Sequence, residues 1–265
     1  RIQRKDYGYK DTFPNILMVN LAGTPFIDLR TDINSFLPKG LNVNLENKLV
    51  NNYLNKLKSK PYLHDKIEFD LLLTCYDLKN DDKKIDFLNL QEKKIYKKKL
   101  KQLTQNLLLN SRYIFKQELQ KINSLDLKIN ALKKSRLSEI QKIFFLIEDC
   151  KNFGTLPFAG AARMAFVTTQ ILRNLIEKKL LNELDIQKLY ESIPTITKEI
   201  FGLSKKALKD KTQKKLFIKK FGHLRPSTYS INSLNYKEGF NIYFSKSVSN
   251  NRILKKEKFV LSKKK

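Results

Sequence analysis

The chain has 265 residues, is 41% hydrophobic by composition and carries a formal net charge of +27. That length allows one large domain or two small ones with a real core, and the apolar content excludes wholesale disorder. The positive charge is nearly all lysine, with nine arginines and no tryptophan. An AT-rich coding sequence produces that bias without any ligand, so the charge is weak evidence for nucleic acid, which Arg reads better than Lys.

In chain order, residues 16–36 predict a β-hairpin. "ILMVNLA" is a short apolar run, "GTP" at 23–25 supplies turn chemistry, and "FIDLRTDINSF" alternates. Ile27, Leu29 and Ile33 then share one face, and Asp28, Arg30, Asp32 and Asn34 share the other. Residues 44–58 place Leu45, Leu49, Val50, Tyr53, Leu54 and Leu57 at helical spacing, and Pro61 stops that helix. Residues 66–76, "KIEFDLLLTCY", alternate again and predict a third strand.

The polar tract at 77–84 reads as a loop and an internal boundary. Helical periodicity follows over 91–122, 136–150, 156–181, 183–201 and 204–220. The last 45 or so residues are irregular, with one short strand expected near Asn241–Phe244. The expected class is α+β, mainly α: a small hairpin or three-strand unit (1–80), a helical bundle (81–222) and an irregular return segment (223–265). The chain starts without Met and ends on "SKKK", so a segment of a longer polypeptide is expected.

Chemical motifs are sparse. There is no P-loop, GxGxxG, HExxH or nucleophile elbow, and eight glycines leave no phosphate-cradling loop of the usual kinds. Cys75 and Cys150 lie far apart in apolar surroundings and predict buried free thiols in a reducing compartment. Neither His64 nor His223 has another His or Cys close in sequence, so no metal site is expected. The most apolar run, 153–172, contains Arg163, Gln170 and two glycines and makes a poor membrane span.

Three stretches stand out. In "GTLPFAGAARMAF", Thr155 can cap a helix whose first turn tolerates Pro157. There Arg163 is the only charge between Lys151 and Arg173, on a largely apolar helix. It needs a partner, either an internal one (for instance Glu148, Asp149 or Asp70) or a bound phosphate or carboxylate. In the alternating face around Arg30 and Asn34, an Arg stands where a lysine-biased chain would put Lys; Glu68 or Asp70 would pair with it if the strands were neighbours. In "KKFGHLRPSTYSI", Pro226 biases Arg225 towards extended backbone and brings His223 and Arg225 close. His223 either caps the preceding helix while Arg225 ties the loop down, or the two serve an anion.

The blocks "DYGYKDTFPNILMVNLAGTPFIDLRTDINSFLP", "LVNNYLNKLKSKPYLHDKIEFDLLLTCYDL", "LIEDCKNFGTLPFAGAARMAFVTTQIL" and "FGHLRPSTYSI" together resemble, in the same order, the phosphoenolpyruvate-synthase-like (PEP/pyruvate-binding domain) phosphotransferases, including the glutamine kinase type. The last block departs from the family's commoner "HLRPGTYDI" at Ser227 and Ser230. The resemblance covers about residues 6–245. It implies a multidomain enzyme in which an ATP-grasp domain takes phosphate from ATP, a swivelling domain carries it on a histidine, and an acceptor receives it.

This chain resembles only the segment between those two domains, so the resemblance implies ATP and Mg2+ for the parent enzyme and no cofactor here. His223 does not match the carrier histidine's motif. The implied role is acceptor binding or domain docking, with Arg30, Asn34, Arg163, His223 and Arg225 as candidate residues. The implied partners are a small-molecule acceptor (glutamine or another amide) and the two neighbouring domains, in the cytoplasm. No membrane and no nucleic acid is expected. The alternative readings are a standalone lysine-rich nucleic-acid-binding protein, though no aromatic platform accompanies a basic cluster, and a purely structural protein.

Overall fold

The computed structural model of the chain describes residues 2–77, 81–226, 230 and 232–245. It shows a mainly helical α+β fold with one small antiparallel sheet ahead of the helices, as the sequence predicts. The chain divides into two compact units after Leu180.

The first unit opens with α1 (Ile2–Asp6) and the hairpin β1 (Met18–Leu21) and β2 (Thr24–Ile27), paired from Met18↔Ile27 to Leu21↔Thr24. The turn is made by Ala22 (φ 50°) and Gly23 (φ 84°). Two consecutive left-handed residues match the right-handed twist of the strands. Pro25 is accommodated because the sheet has two strands only, so each strand has a free edge.

The predicted second strand stops early. Asp28 accepts hydrogen bonds from the backbone N–H groups of Arg30 and Thr31 and starts α2 (Leu29–Asn34). A helix N-cap thus wins over the alternation, since Asp satisfies the orphan donors of a first turn. Next come α3 (Val43–Ser59), capped by Asn42 and ended before Pro61, and a π-helical turn at Ile67–Leu71. Leu71, Leu72, Leu73, Thr74 and Cys75 are buried in succession.

This segment was expected to be a third strand, but among the described residues no strand pairs with it. Its backbone is satisfied by side chains instead. Tyr9 Oη donates to the Thr74 carbonyl (2.7 Å), Tyr96 Oη to Leu73 (3.0 Å) and Lys84 Nζ to Leu72 (2.9 Å). The Tyr76 N–H donates to Thr104 Oγ1 at 2.8 Å. Buried backbone needs partners, and these replace a ladder.

A short α4 (Asp81–Lys84) leads to α5 (Leu90–Leu109), α6 (Ser111–Lys134), α7 (Glu139–Asp149) and α8 (Leu156–Glu177). Asn89 and Glu92 form a reciprocal capping box at the start of α5. Between α7 and α8 the chain does not break. Cys150–Thr155 is a π-helical turn, and Thr155 is helical with no capping bond, contrary to its expected role as a cap. Pro157 lacks an N–H and its ring crowds the carbonyl four residues back, which the wider π turn relieves. Cys150 lies on that turn and is exposed, not buried as predicted; neither Cys75 nor Cys150 is in a disulfide.

The first core gathers Ile33, Leu49, Tyr53, Leu73, Ile85 and Leu100 among others, so α5 packs on the same core as the first 80 residues. A second core joins Tyr7, Tyr9 and Cys75 to Leu103, Leu107 and Val167. Each large apolar side chain fully buried there contributes about 1.5–3 kcal/mol relative to exposure.

The second unit holds α9 (Glu183–Ser192), α10 (Ile196–Ala207), α11 (Lys211–Phe221) and α12 (Phe240–Phe244). The strand expected near Asn241–Phe244 is therefore a helix. Phe240 and Phe244, one helical turn apart, both bury against Phe217, which extended backbone would not allow on one face. Among the described residues no helix is long and apolar enough to cross a membrane.

Candidate functional site

In the first unit a cleft of about 70 Å³ runs between α8 and the segment 68–77. Arg163, Phe166, Gln170 and Arg173 line one wall. Their spacing of three, four and three residues puts them on one stripe of α8. Glu68, Phe69 and residues 72–75 line the other wall.

Arg163 is 5% exposed. Its Nη2 pairs with a carboxylate oxygen of Glu68. The guanidinium carbon lies 5.4 Å from the ring centre of Phe36 and 5.7 Å from those of Tyr9 and Phe166. Such rings attract a desolvated cation through their π faces. Even so, beyond the interaction of the guanidinium with the Tyr9 hydroxyl, Nε and Nη1 make no hydrogen bond of good geometry. Burial lowers the Arg163 pKa from its ordinary value, against the favourable pull of Tyr9. Burial also pushes the Tyr9 phenol up to about 12, against the opposing pull of the Arg163 cation.

The internal ion pair foreseen for Arg163 thus exists, but its partner is Glu68 rather than Glu148, Asp149 or Asp70. Glu68 is free to take it because no sheet holds 66–76 beside Arg30. Arg30 lies on α2, is exposed and donates to Asn51 Oδ1 (3.1 Å). Asn34 donates to the Arg30 carbonyl (2.9 Å) and accepts from Lys10 Nζ (3.1 Å). Neither Arg30 nor Asn34 lines the cleft.

His223 and Arg225 belong to the second unit. His223 is exposed, and the helix before it is capped by the Gly222 N–H bonding to Ile218 (2.9 Å), not by the imidazole. Arg225 Nε donates to the Ser233 carbonyl at 2.8 Å, so it does tie its loop down. Ser227 and its two successors lie outside the described residues.

Tyr9, Glu68 and Arg173 were missed as members of the site. The Arg163–Arg173 stripe was visible in the periodicity of α8; Tyr9 and Glu68 arrive by long-range packing that no local pattern reports. Among the described residues no group of three His, Cys, Asp or Glu side chains is arranged to hold a metal. No protein-family profile, curated protein or solved structure matches the chain.

Proposed function

We propose that the chain is the central, acceptor-binding domain of an ATP-dependent phosphotransferase of the phosphoenolpyruvate-synthase-like kind, with a small acceptor such as glutamine or another amide. One observation supports the reading: the second and third of the four blocks that resemble that family line one cleft, and the first packs against them. Tyr9 comes from the first block, Glu68 and Thr74 from the second and Arg163 from the third, and they are joined by the Tyr9–Thr74 hydrogen bond and the Arg163–Glu68 pair.

In the transfer itself, the phosphorus–nitrogen bond of a phosphohistidine on another domain breaks as the acceptor's nucleophilic atom bonds phosphorus, and the acceptor's proton is released. The role of this chain is to hold the acceptor in line and supply fixed positive charge, which needs no reorganisation during the step. As the resemblance implies, ATP and Mg2+ act on a flanking domain and not on this chain. The free thiols Cys75 and Cys150 fit a reducing cytoplasm.

The test uses the longest natural polypeptide containing this chain, incubated with ATP labelled on its β- and γ-phosphates and an amide acceptor such as glutamine. An acid-labile phosphohistidine, discharged by the acceptor, is the expected result, with the isolated chain inactive. Absence of any phosphohistidine, or tight salt-dependent binding of DNA or RNA instead, would overturn the reading.

A further inference from the structure

We infer that the cleft along α8 is a binding site for a small oxyanion, a carboxylate or a phosphate, seated on Arg163 and met on its outer side by Arg173. The inference rests on the preceding reading only in taking the cleft to hold a ligand; the charge class comes from the cleft itself.

The first ground is the unused hydrogen-bonding capacity of Arg163. It is nineteen-twentieths buried by its 5% exposure, yet beyond the interaction of the guanidinium with the Tyr9 hydroxyl, Nε and Nη1 make no hydrogen bond of good geometry. Leaving buried donors unmade costs about 1–3 kcal/mol each, and more for a charged group. Native structures rarely carry such groups without a ligand, an ion or water to meet them. A guanidinium also presents its donors in a planar fork that matches the oxygens of carboxylate and phosphate.

The charge balance is the second. Of the cations lining the cleft, Arg163 is offset by Glu68, and Lys84 is engaged with the Phe69 and Leu72 carbonyls. Arg173 is exposed and makes no ion pair or hydrogen bond with the described residues. The facing carbonyls of Leu72, Leu73 and Thr74 already accept from Lys84, Tyr96 and Tyr9. With Asp77 as a second carboxylate, the lining holds three cations, Lys84, Arg163 and Arg173, against two acids, Glu68 and Asp77, and this net positive charge favours an anion over a cation.

The third is size and polarity. About 70 Å³ holds a few waters or one small oxyanion. Gln170 and Thr169 add neutral hydrogen-bonding groups, and Phe166 closes one side against Phe69, ring centres 4.8 Å apart.

The experiment titrates the isolated chain with inorganic phosphate and, separately, with malonate, at ionic strength held constant by chloride, with no ATP present. The readouts are the thermal midpoint and the 15N–1H signal of the Arg163 Nε–H group. A saturable rise in midpoint with either anion, together with movement of that signal, is expected; the tighter of the two identifies the source chemistry. Arg173→Gln should weaken binding by about tenfold, the scale of one charge-assisted hydrogen bond. Glu68→Gln, which frees the guanidinium from its competing carboxylate, should tighten it.

Arg163→Met abolishes the site but also breaks an internal pair, so the other two variants carry the test if it does not fold. No saturable response to either anion, or affinities unchanged in both Arg173→Gln and Glu68→Gln, overturns the inference. Because no phosphoryl transfer is measured, anion binding without transfer in the parent enzyme would sink the proposed function alone, and transfer without anion binding would sink this inference alone.

Discussion

The Tyr9 hydroxyl donates a 2.7 Å hydrogen bond to the carbonyl oxygen of Thr74, 65 residues away. The bond anchors the N-terminal segment to a buried stretch that has no neighbouring strand, and it holds the phenol beside the Arg163 guanidinium. Tyr9→Phe removes the donor and leaves a buried carbonyl under-satisfied, which should cost about 1–3 kcal/mol in urea denaturation. The same substitution should delete a late step in the spectroscopic tyrosine titration, since burial pushes this phenol up to about 12. The folded-state value lies above the unfolded one, so the contribution of Tyr9 to stability is complete below about pH 10 and is lost as pH rises through 12.

Arg163 and Glu68 should behave as a coupled pair. Arg163→Met strands a carboxylate whose side chain is 20% exposed and should destabilise by about 3 kcal/mol. The double variant Arg163→Met/Glu68→Gln should recover part of that loss, because no unpaired buried charge remains. Additive losses in the double-mutant cycle would show that the two residues do not interact.

Asp28 tests the helix start that displaced a predicted strand. Burial works against its charged form, but hydrogen bonds from Thr31 and the Thr31 and Arg30 backbone hold its carboxyl below the usual range. Asp28→Ala should cost about 1 kcal/mol at neutral pH. A depressed folded-state pKa makes the wild-type advantage complete above the unfolded carboxylate range, near pH 4, and lost as pH falls through the folded value. The gap between the denaturation midpoints of wild type and variant should therefore narrow on acidification.

Phe217 is fully buried and touches the rings of Phe221, Tyr236, Phe240 and Phe244. Phe217→Ala should destabilise the second unit by about 3–5 kcal/mol, read as faster amide exchange across α10 and α11.

At the hairpin tip, Ala22 adopts φ 50°, a conformation that L-residues with a Cβ adopt at some cost. Ala22→Asn creates the Asn-Gly pair that this turn type prefers and should slow amide exchange in β1 and β2 by about threefold, the equivalent of ~0.6 kcal/mol.

The long helices were legible because their burial follows a 3.6-residue period, whereas the short α2 and α12 span too few residues to show one and were read as strands. Leu45, Leu49, Tyr53 and Leu57 announce α3, and Leu100, Leu103 and Leu107 announce the end of α5. The segment 66–76 was misread because its apolar residues alternate while its neighbours are tyrosine, threonine and lysine side chains rather than a strand. The site was half legible. Arg163 was conspicuous as the only charge between Lys151 and Arg173, and Arg173 follows from the helical stripe. Its partner Glu68 was hidden, because a polar residue in an alternating run looks like solvent-facing surface.

Local chemistry in the chain accounts for most of the helices, for a hairpin turn beginning at Gly23, one residue later than the observed Ala22–Gly23, and for the need of Arg163 for a counter-charge: propensity, capping and desolvation act over a few residues. The choice of counter-charge, the side-chain satisfaction of the 72–76 backbone and the donors left open in the cleft were settled by packing between segments far apart in the chain. Hydrophobic burial is non-directional, so a sequence pattern can say that a face must be covered without saying by what; the covering neighbours, Tyr9 and Glu68, are supplied when the chain closes on itself.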